Sequence, residues 1–364
     1  MKKKVPSRLD VLRSFIRSGR CTHILITDVV DVEYCCGFRA SHALLLVSKS
    51  KALLCTDFRY RIVAQTLCKK NPEWTYVELA DKNFTTLAEH CPAGSIVGIQ
   101  SNVLTLDQYD RLKKAFKKVA FIKVSAHIAA TFVAKSEAEI SSIKKAAHIG
   151  DKGFLYILQQ LKTGITEIEV ARLLDEHCRM LGSEKPSFDT MVLFGERSAL
   201  PHGVPGARRL KKGDWVLFDF GCTVNGLASD MTRTIIFGSA NARQHSIYAI
   251  VLKAQKQARS AVRAGAVAAD VDACARNIIA ATGYGEQFGH ATGHGVGLRI
   301  HELPRVSATN KMPLQERAVV TIEPGIYLPD FGGVRIEDTV VVREAGCDVL
   351  TRSPRRLIEV WREV

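Results

Sequence analysis

Along the first 130 residues, apolar positions come in short runs separated by stretches of a different period. Runs at 23–30, 43–47, 52–55 and 96–99 have the length of buried strands. The stretches 61–69 and 107–117 repeat their apolar residues at helical spacing, as do Leu9, Leu12, Phe15 and Ile16 ahead of them. This alternation predicts an α/β unit over residues 1–130. After Ala130 the texture changes. Ser136 and Glu139 form a capping box for a long helix with Ile140, Ile143, Ala147 and Phe154 on or near one face, ended by Gly164. Thr166 and Glu169 repeat the signal for a helix that Gly182 stops. Strands are predicted at 190–194, 215–220 and 231–237, helices near 244–264 and 269–282, and last strands at 318–322 and 333–342 around a glycine-rich stretch at 283–297. Helices followed by antiparallel-type strands give an α+β class for residues 131–364.

The length of 364 residues suits two domains, and 46% hydrophobic with 24% charged residues is ordinary for a globular chain. No apolar stretch reaches the length of a membrane span. The start Met1-Lys2-Lys3-Lys4 resembles the basic head of a signal peptide, but Arg8, Asp10, Arg13 and Arg17 interrupt any apolar core, so a cytoplasmic protein is expected. Ten cysteines show no C-x-x-C pair and no regular spacing, which favours buried thiols over a disulfide framework. The formal charge of +14 raises the question of nucleic acid. The basic residues are scattered over 2–4, 111–118, 207–212 and 352–356 without interleaved aromatics, so a solvated basic surface is expected, with neither a nucleic-acid nor a membrane partner.

The chemistry lies in the second region. Asp219 interrupts the apolar run 215–221, and Asp230 stands eleven residues on, ahead of the next strand. A carboxylate on a buried strand is costly unless it is paired or bound to a cation. Two strands of a hairpin bring both together. Glu323 ends the run 319–322, Glu337 lies within 333–342, and His294 is framed by Gly293 and Gly295. Each alone reads as a salt-bridge or core residue. Four carboxylates with one imidazole suit hard or borderline divalent ions such as manganese, cobalt, iron or zinc. Their charge is enough for two ions, which in such sites lie ~3.5–4 Å apart. Other chemistries fail on spacing: 293–297 lacks the dinucleotide fingerprint, His301-Glu302 has no second zincin histidine, and no G-x-S-x-G elbow exists.

The motifs PHG (201–203), DFG (219–221), SDMTRT (229–234), HATGHGVGL (290–298), HELP (301–304), TIEPGIY (321–327) and GVRIED (333–338) resemble the family of aminopeptidase P, prolidase, methionine aminopeptidase and creatinase. Segments 25–38 and 56–60 resemble the creatinase-type amino-terminal domain of aminopeptidase P and prolidase. The resemblance implies a catalytic pita-bread α+β domain over 131–364, preceded by a smaller α/β domain over 1–130. It implies that Asp219 chelates one metal, that His294 with Glu323 binds the other, and that Asp230 and Glu337 bridge both. His202, His290 and His301 would line the site, Glu323 would also act as general base, and Arg335 would hold a bridging carboxylate.

Two divalent ions are implied, manganese first, with cobalt or zinc as alternatives. The implied activity is hydrolysis of a proline-containing peptide at the Xaa–Pro bond, in dipeptides or at peptide amino termini, by a homodimer. Arg305 after HELP resembles an arginine that dipeptidases use for the substrate carboxylate. Gly226-Leu227-Ala228 departs from the family's usual aromatic before the second aspartate, which predicts altered packing there. The intact ligand positions argue against creatinase-like metal-free chemistry. A non-catalytic binding protein on the same fold and a methionine aminopeptidase are the alternatives.

Overall fold

In the computed structural model, residues 7–80 and 84–361 are described, and the basic start at 1–4 lies outside them. Contacts divide the chain into two units, one running through Phe132 and one from Val133 onward.

The first unit is built on a six-stranded sheet in the order Thr75–Glu78, Ala52–Thr56, Leu44–Ser48, His23–Ile26, Ile96–Ile99, Ala120–Lys123. The three central strands pair antiparallel, Leu44–Ser48 with Ala52–Thr56 through a tight turn and His23–Ile26 with Leu44–Ser48 across a longer connection. The outer pairs are parallel, and the helices Arg61–Lys70 and Leu106–Ala115 make crossovers that parallel pairing requires. The apolar run 23–30 is not one strand. The strand stops at Ile26 because the Asp28 side chain accepts a hydrogen bond from Val30 N, which caps a helix at Val29–Cys36.

The second unit joins two helix pairs to a four-stranded and a five-stranded sheet, with two short two-stranded pairings beside them. Helices Glu137–Gln160 and Glu167–Met180 begin with the capping boxes read from sequence, though the first ends at Leu161, before Gly164. They pack through Phe154, Val170 and Leu174 onto a sheet ordered Glu359–Val360, Met231–Phe237, Asp214–Phe220, Met191–Phe194. Helices Ala242–Ala261 and Ala268–Ala281 share a core with a sheet ordered Glu302–Val306, Gly293–Gly295, Val319–Ile322, Asp338–Arg343, Gly346–Val349. This arrangement of helices outside and antiparallel strands within is the α+β pita-bread architecture.

The stretch 333–342 is not one strand. Gly332–Arg335 pairs with Gly325–Leu328, and Asp338–Arg343 pairs with Val319–Ile322 in a different sheet. Ile336 and Glu337 are the crossing point. Residues 332–342 are all buried, so no change of period marks the break. Leu227, in a short pairing with the strand Thr223–Val224, is buried with Ile140, Ile143 and Val296.

Candidate metal centre

The first two carboxylates come from one hairpin. Strand Asp214–Phe220 pairs antiparallel with Met231–Phe237, with Thr232 opposite Asp219. Asp230 stands just before the second strand, and its carbonyl accepts from Thr339 Oγ1 at 2.7 Å. Asp219 Oδ2 accepts from Arg335 Nη2 at 2.5 Å. The same guanidinium donates to Tyr327 OH at 2.7 Å and to Thr232 Oγ1 at 3.0 Å, and that hydroxyl donates to Glu337 Oε2 at 2.7 Å. Arg335 therefore orients Asp219 directly and Glu337 through Thr232.

The imidazole arrives on a strand that only glycine allows. A Cβ at Gly293 would lie 1.9 Å from the Thr321 carbonyl, so the close pairing of these strands excludes any side chain there. His294 Nδ1 lies 3.0 Å from Gly295 O, which can only accept, so this nitrogen carries the proton. Nε2 is left facing Glu323 Oε1 at 3.3 Å and Asp230 Oδ2 at 3.6 Å. Thr321 Oγ1 donates to Glu323 Oε1 at 3.0 Å and accepts from His294 N at 3.0 Å, tying the two together. Ligand atoms of Asp230, His294 and Glu337 all lie within 4.8 Å of one another.

The donor set fits a cation. Asp219 Oδ1 and Glu337 Oε1 are buried without a hydrogen-bond partner among the described residues. Such oxygens are costly unless a cation meets them. Burial, and then the neighbouring carboxylates, push Asp230 and Glu337 well above the ordinary carboxylate range. Burial acts on Glu323 in the same direction, but hydrogen bonding and charge from His294 outweigh it and bring Glu323 down to about 2. Burial disfavours the His294 cation, yet the Glu323 carboxylate holds it above an ordinary imidazole. Four carboxylates facing one arginine and one imidazole carry more negative charge than the protein itself compensates.

The three further histidines differ. His290 is held at both nitrogens, by Ala291 O at 2.8 Å and Tyr327 OH at 2.8 Å, and burial pushes its imidazolium down. Nδ1 therefore donates to the carbonyl, and Nε2 accepts from the tyrosine. His301 stacks edge-on against His294 with ring centroids 4.4 Å apart. The segment after it is the strand Glu302–Val306, paired with Gly293–Gly295, which brings His301 beside the site. His202 is exposed and lies near both His290 and His301. Arg305 is exposed.

Sequence reasoning missed Tyr327 and Thr232 as working groups. Both lie inside motifs already singled out. The available signal was a threonine on a strand buried on both faces, where a hydroxyl needs a partner.

Residues 141–344 match metallopeptidase family M24, and residues 8–131 match the Creatinase/Prolidase N-terminal domain. A Pyrococcus furiosus protein named Xaa-Pro dipeptidase is 38% identical over 96% of this chain and 99% of its own length. Among solved structures, a Bacillus anthracis Xaa-Pro dipeptidase has a TM-score of 0.91 at 36% identity, covering 97% of this chain and 99% of its own. An X-Pro aminopeptidase from Thermotoga maritima has a TM-score of 0.85 at 34% identity, covering 98% of this chain and 100% of its own. No helix among the described residues is long and apolar enough to cross a membrane. Together with the carboxylate–imidazole centre, these matches show that the chain belongs to metallopeptidase family M24, which implies use of a divalent metal.

Proposed function

We propose that this metallopeptidase hydrolyses the bond between a residue and a following proline, in dipeptides by preference. The observation that carries the reading is the set of unpartnered carboxylate oxygens on Asp219 and Glu337 beside the His294 Nε2, which faces Glu323 and Asp230. Asp219, Asp230, His294, Glu323 and Glu337 would hold two divalent ions, manganese first and cobalt or zinc next. When bound, such ions polarise a peptide carbonyl and acidify water. An Xaa–Pro bond is a tertiary amide with no N–H for a protease to grip, so polarising its carbonyl is the available route.

Glu323 is the proton acceptor in this reading, since its Oε1 stands at the site under the Thr321 hydroxyl. His301 is better placed than His290 to donate to the developing oxyanion, because both nitrogens of His290 are engaged. Arg335 is the positioning group for Asp219 and Glu337. The exposed Arg305 is assigned to the carboxylate of a dipeptide, in keeping with the relatives named dipeptidase. Catalysis is assigned to residues 131–364, with 1–130 as the accessory domain. A homodimer in the cytoplasm completes the reading, and all ten cysteines are free thiols. Light scattering tests the dimer.

The decisive experiment is hydrolysis of Xaa-Pro and Xaa-Pro-Yaa by metal-stripped protein with manganese, cobalt or zinc restored in turn. Metal-dependent cleavage of Xaa-Pro with the tripeptide left intact supports a dipeptidase, and cleavage of both supports an aminopeptidase. Folded protein that cuts neither with any metal overturns the peptidase reading in favour of a binding protein. Release of methionine from Met-Gly with Xaa-Pro untouched would instead select methionine aminopeptidase.

A further inference from the structure

Of the three histidines around the centre, His202 stands apart in how it is held. His290 is bonded at both ring nitrogens and His301 packs against His294, whereas no hydrogen bond reaches the His202 ring among the described residues. Its position depends on its loop. That loop leaves strand Met191–Phe194, passes a short helical turn at Gly195–Ala199, and carries His202 between Leu200 and Val204, which are 45% and 76% exposed.

Both ends of the loop meet at one carboxylate. Glu167, at the start of the helix Glu167–Met180, is fully buried at 0% exposure. Its Oε1 accepts from Phe194 N at 2.8 Å, at the loop's entry, and its Oε2 accepts from Gly206 N at 2.9 Å, at the exit. Arg197, inside the loop, places Nε 3.1 and 3.0 Å from the two carboxylate oxygens. Its Nη2 donates to Val204 O at 2.7 Å, two residues past His202. Each contact is charge-assisted, the stronger class of hydrogen bond. The apex is also close-packed, since a Cβ at Gly203 would lie 2.7 Å from Leu193 Cδ1. A buried acid carrying this many donors is costly to place and is poorly explained by capping alone, because the helix is already capped by Thr166 with Glu169.

We propose that Glu167 and Arg197 form a clasp that positions His202 toward the substrate, an inference that rests on the peptidase reading above. Among the described residues, the hydrogen bonds of Glu167 and Arg197 reach none of the candidate metal ligands. They are positioning residues, acting through the geometry of the 194–206 loop. Misplacing a contributing group by about 1 Å costs as much as a hundredfold in rate.

A double-mutant cycle on the manganese-loaded full chain tests the clasp. Glu167→Gln turns an amide N–H₂ toward backbone donors, and Arg197→Met, at a partly exposed position, removes the tie to Val204 with less risk to folding. With metal content matched to wild type, each variant is expected to lower kcat/KM by roughly ten- to a hundredfold. The split between kcat and KM should match that of His202→Ala. In the His202→Ala background each should add no more than about twofold, the scatter of uncoupled sites. Losses that multiply in full across the cycle, or folded variants of both kinds with wild-type kinetics, overturn the proposal. Should Glu167→Gln fail to fold, the Arg197→Met cycle decides alone.

Hydrogen exchange over 194–206 gives a readout without turnover. Faster exchange there in Arg197→Met, with the strands of the metal centre still protected, supports the clasp, and unchanged exchange overturns it. If wild type cuts no proline peptide, the function reading fails while the exchange result still judges the clasp.

Discussion

The hairpin over 214–237 and the region over 293–343 bring candidate ligands to one centre by different routes. In the hairpin, Asp219 and Asp230 are eleven residues apart and strand register does the rest, with Thr232 directly across from Asp219. In the second region, His294, Glu323 and Glu337 come from three segments, and Glu337 reaches the site only because the chain changes sheets at Ile336. Its backbone N–H then bonds Thr232 O at 3.1 Å, and its carbonyl takes the Arg233 guanidinium. A local hairpin needs only a period and a turn to align two carboxylates. A site assembled across sheets also needs buried polar groups to fasten the join, and Arg233, Arg335 and Thr232 supply them.

The largest effect should come from removing the hairpin's candidate ligand that faces His294 of the second region. Asp230→Asn is expected to reduce hydrolysis to background and to lower bound metal, measured by peptide assay and by metal content. Arg335→Met leaves every ligand in place but unfastens the hairpin from the second region. Loss of such an outer partner weakens metal binding roughly 10–100-fold, read by titration with a competing chelator. Arg335→Lys should not restore it, because one ammonium cannot serve Asp219, Tyr327 and Thr232 together.

Thr232→Val is a finer cut, deleting only the hydroxyl between Arg335 and Glu337. Leaving buried partners unsatisfied costs about 1–3 kcal/mol, which a denaturant midpoint detects.

The smallest effect concerns the metal-free protein and separates the carboxylates by sign. Burial and like charges raise Asp230, so its folded carboxyl keeps a proton that the unfolded chain has lost. Its contribution is most favourable at low pH and is lost as pH rises from the ordinary carboxylate range toward the raised value. Asp230→Asn should then raise the Tm of the metal-free protein at neutral pH, by ~2–4 °C for each kcal/mol relieved. Glu323, brought down to about 2 by its His294 partner, contributes stability above the ordinary carboxylate pKa that is lost only as pH falls through about 2. Glu323→Gln should lower the same Tm. Calorimetry in chelator at two pH values checks both signs, and equal shifts in one direction would contradict them.

The hairpin was legible because its strands are apolar runs with an acid where none belongs. The capping boxes at Ser136 and Thr166 were legible because a cap is a three-residue pattern. The run 23–30 was overread because the Asp28 cap falls inside continuous apolar character. The break at 336–337 was invisible because residues on both sides are buried on both faces. Tyr327 was hidden in a motif read for its glutamate, although its hydroxyl joins Arg335 to His290.

Residue order alone named the two-region plan, the α+β class of the second region and the five candidate ligands, since periodicity, caps and acids on apolar strands are local properties. Folding in three dimensions decided which carboxylate oxygens are left without partners, which histidine nitrogen faces the carboxylates, and that Glu167 gathers a loop whose ends are 12 residues apart in sequence. Those outcomes depend on distances between segments far apart along the chain. Hydrogen bonds and charge in a buried setting select among them, and no local pattern encodes that selection.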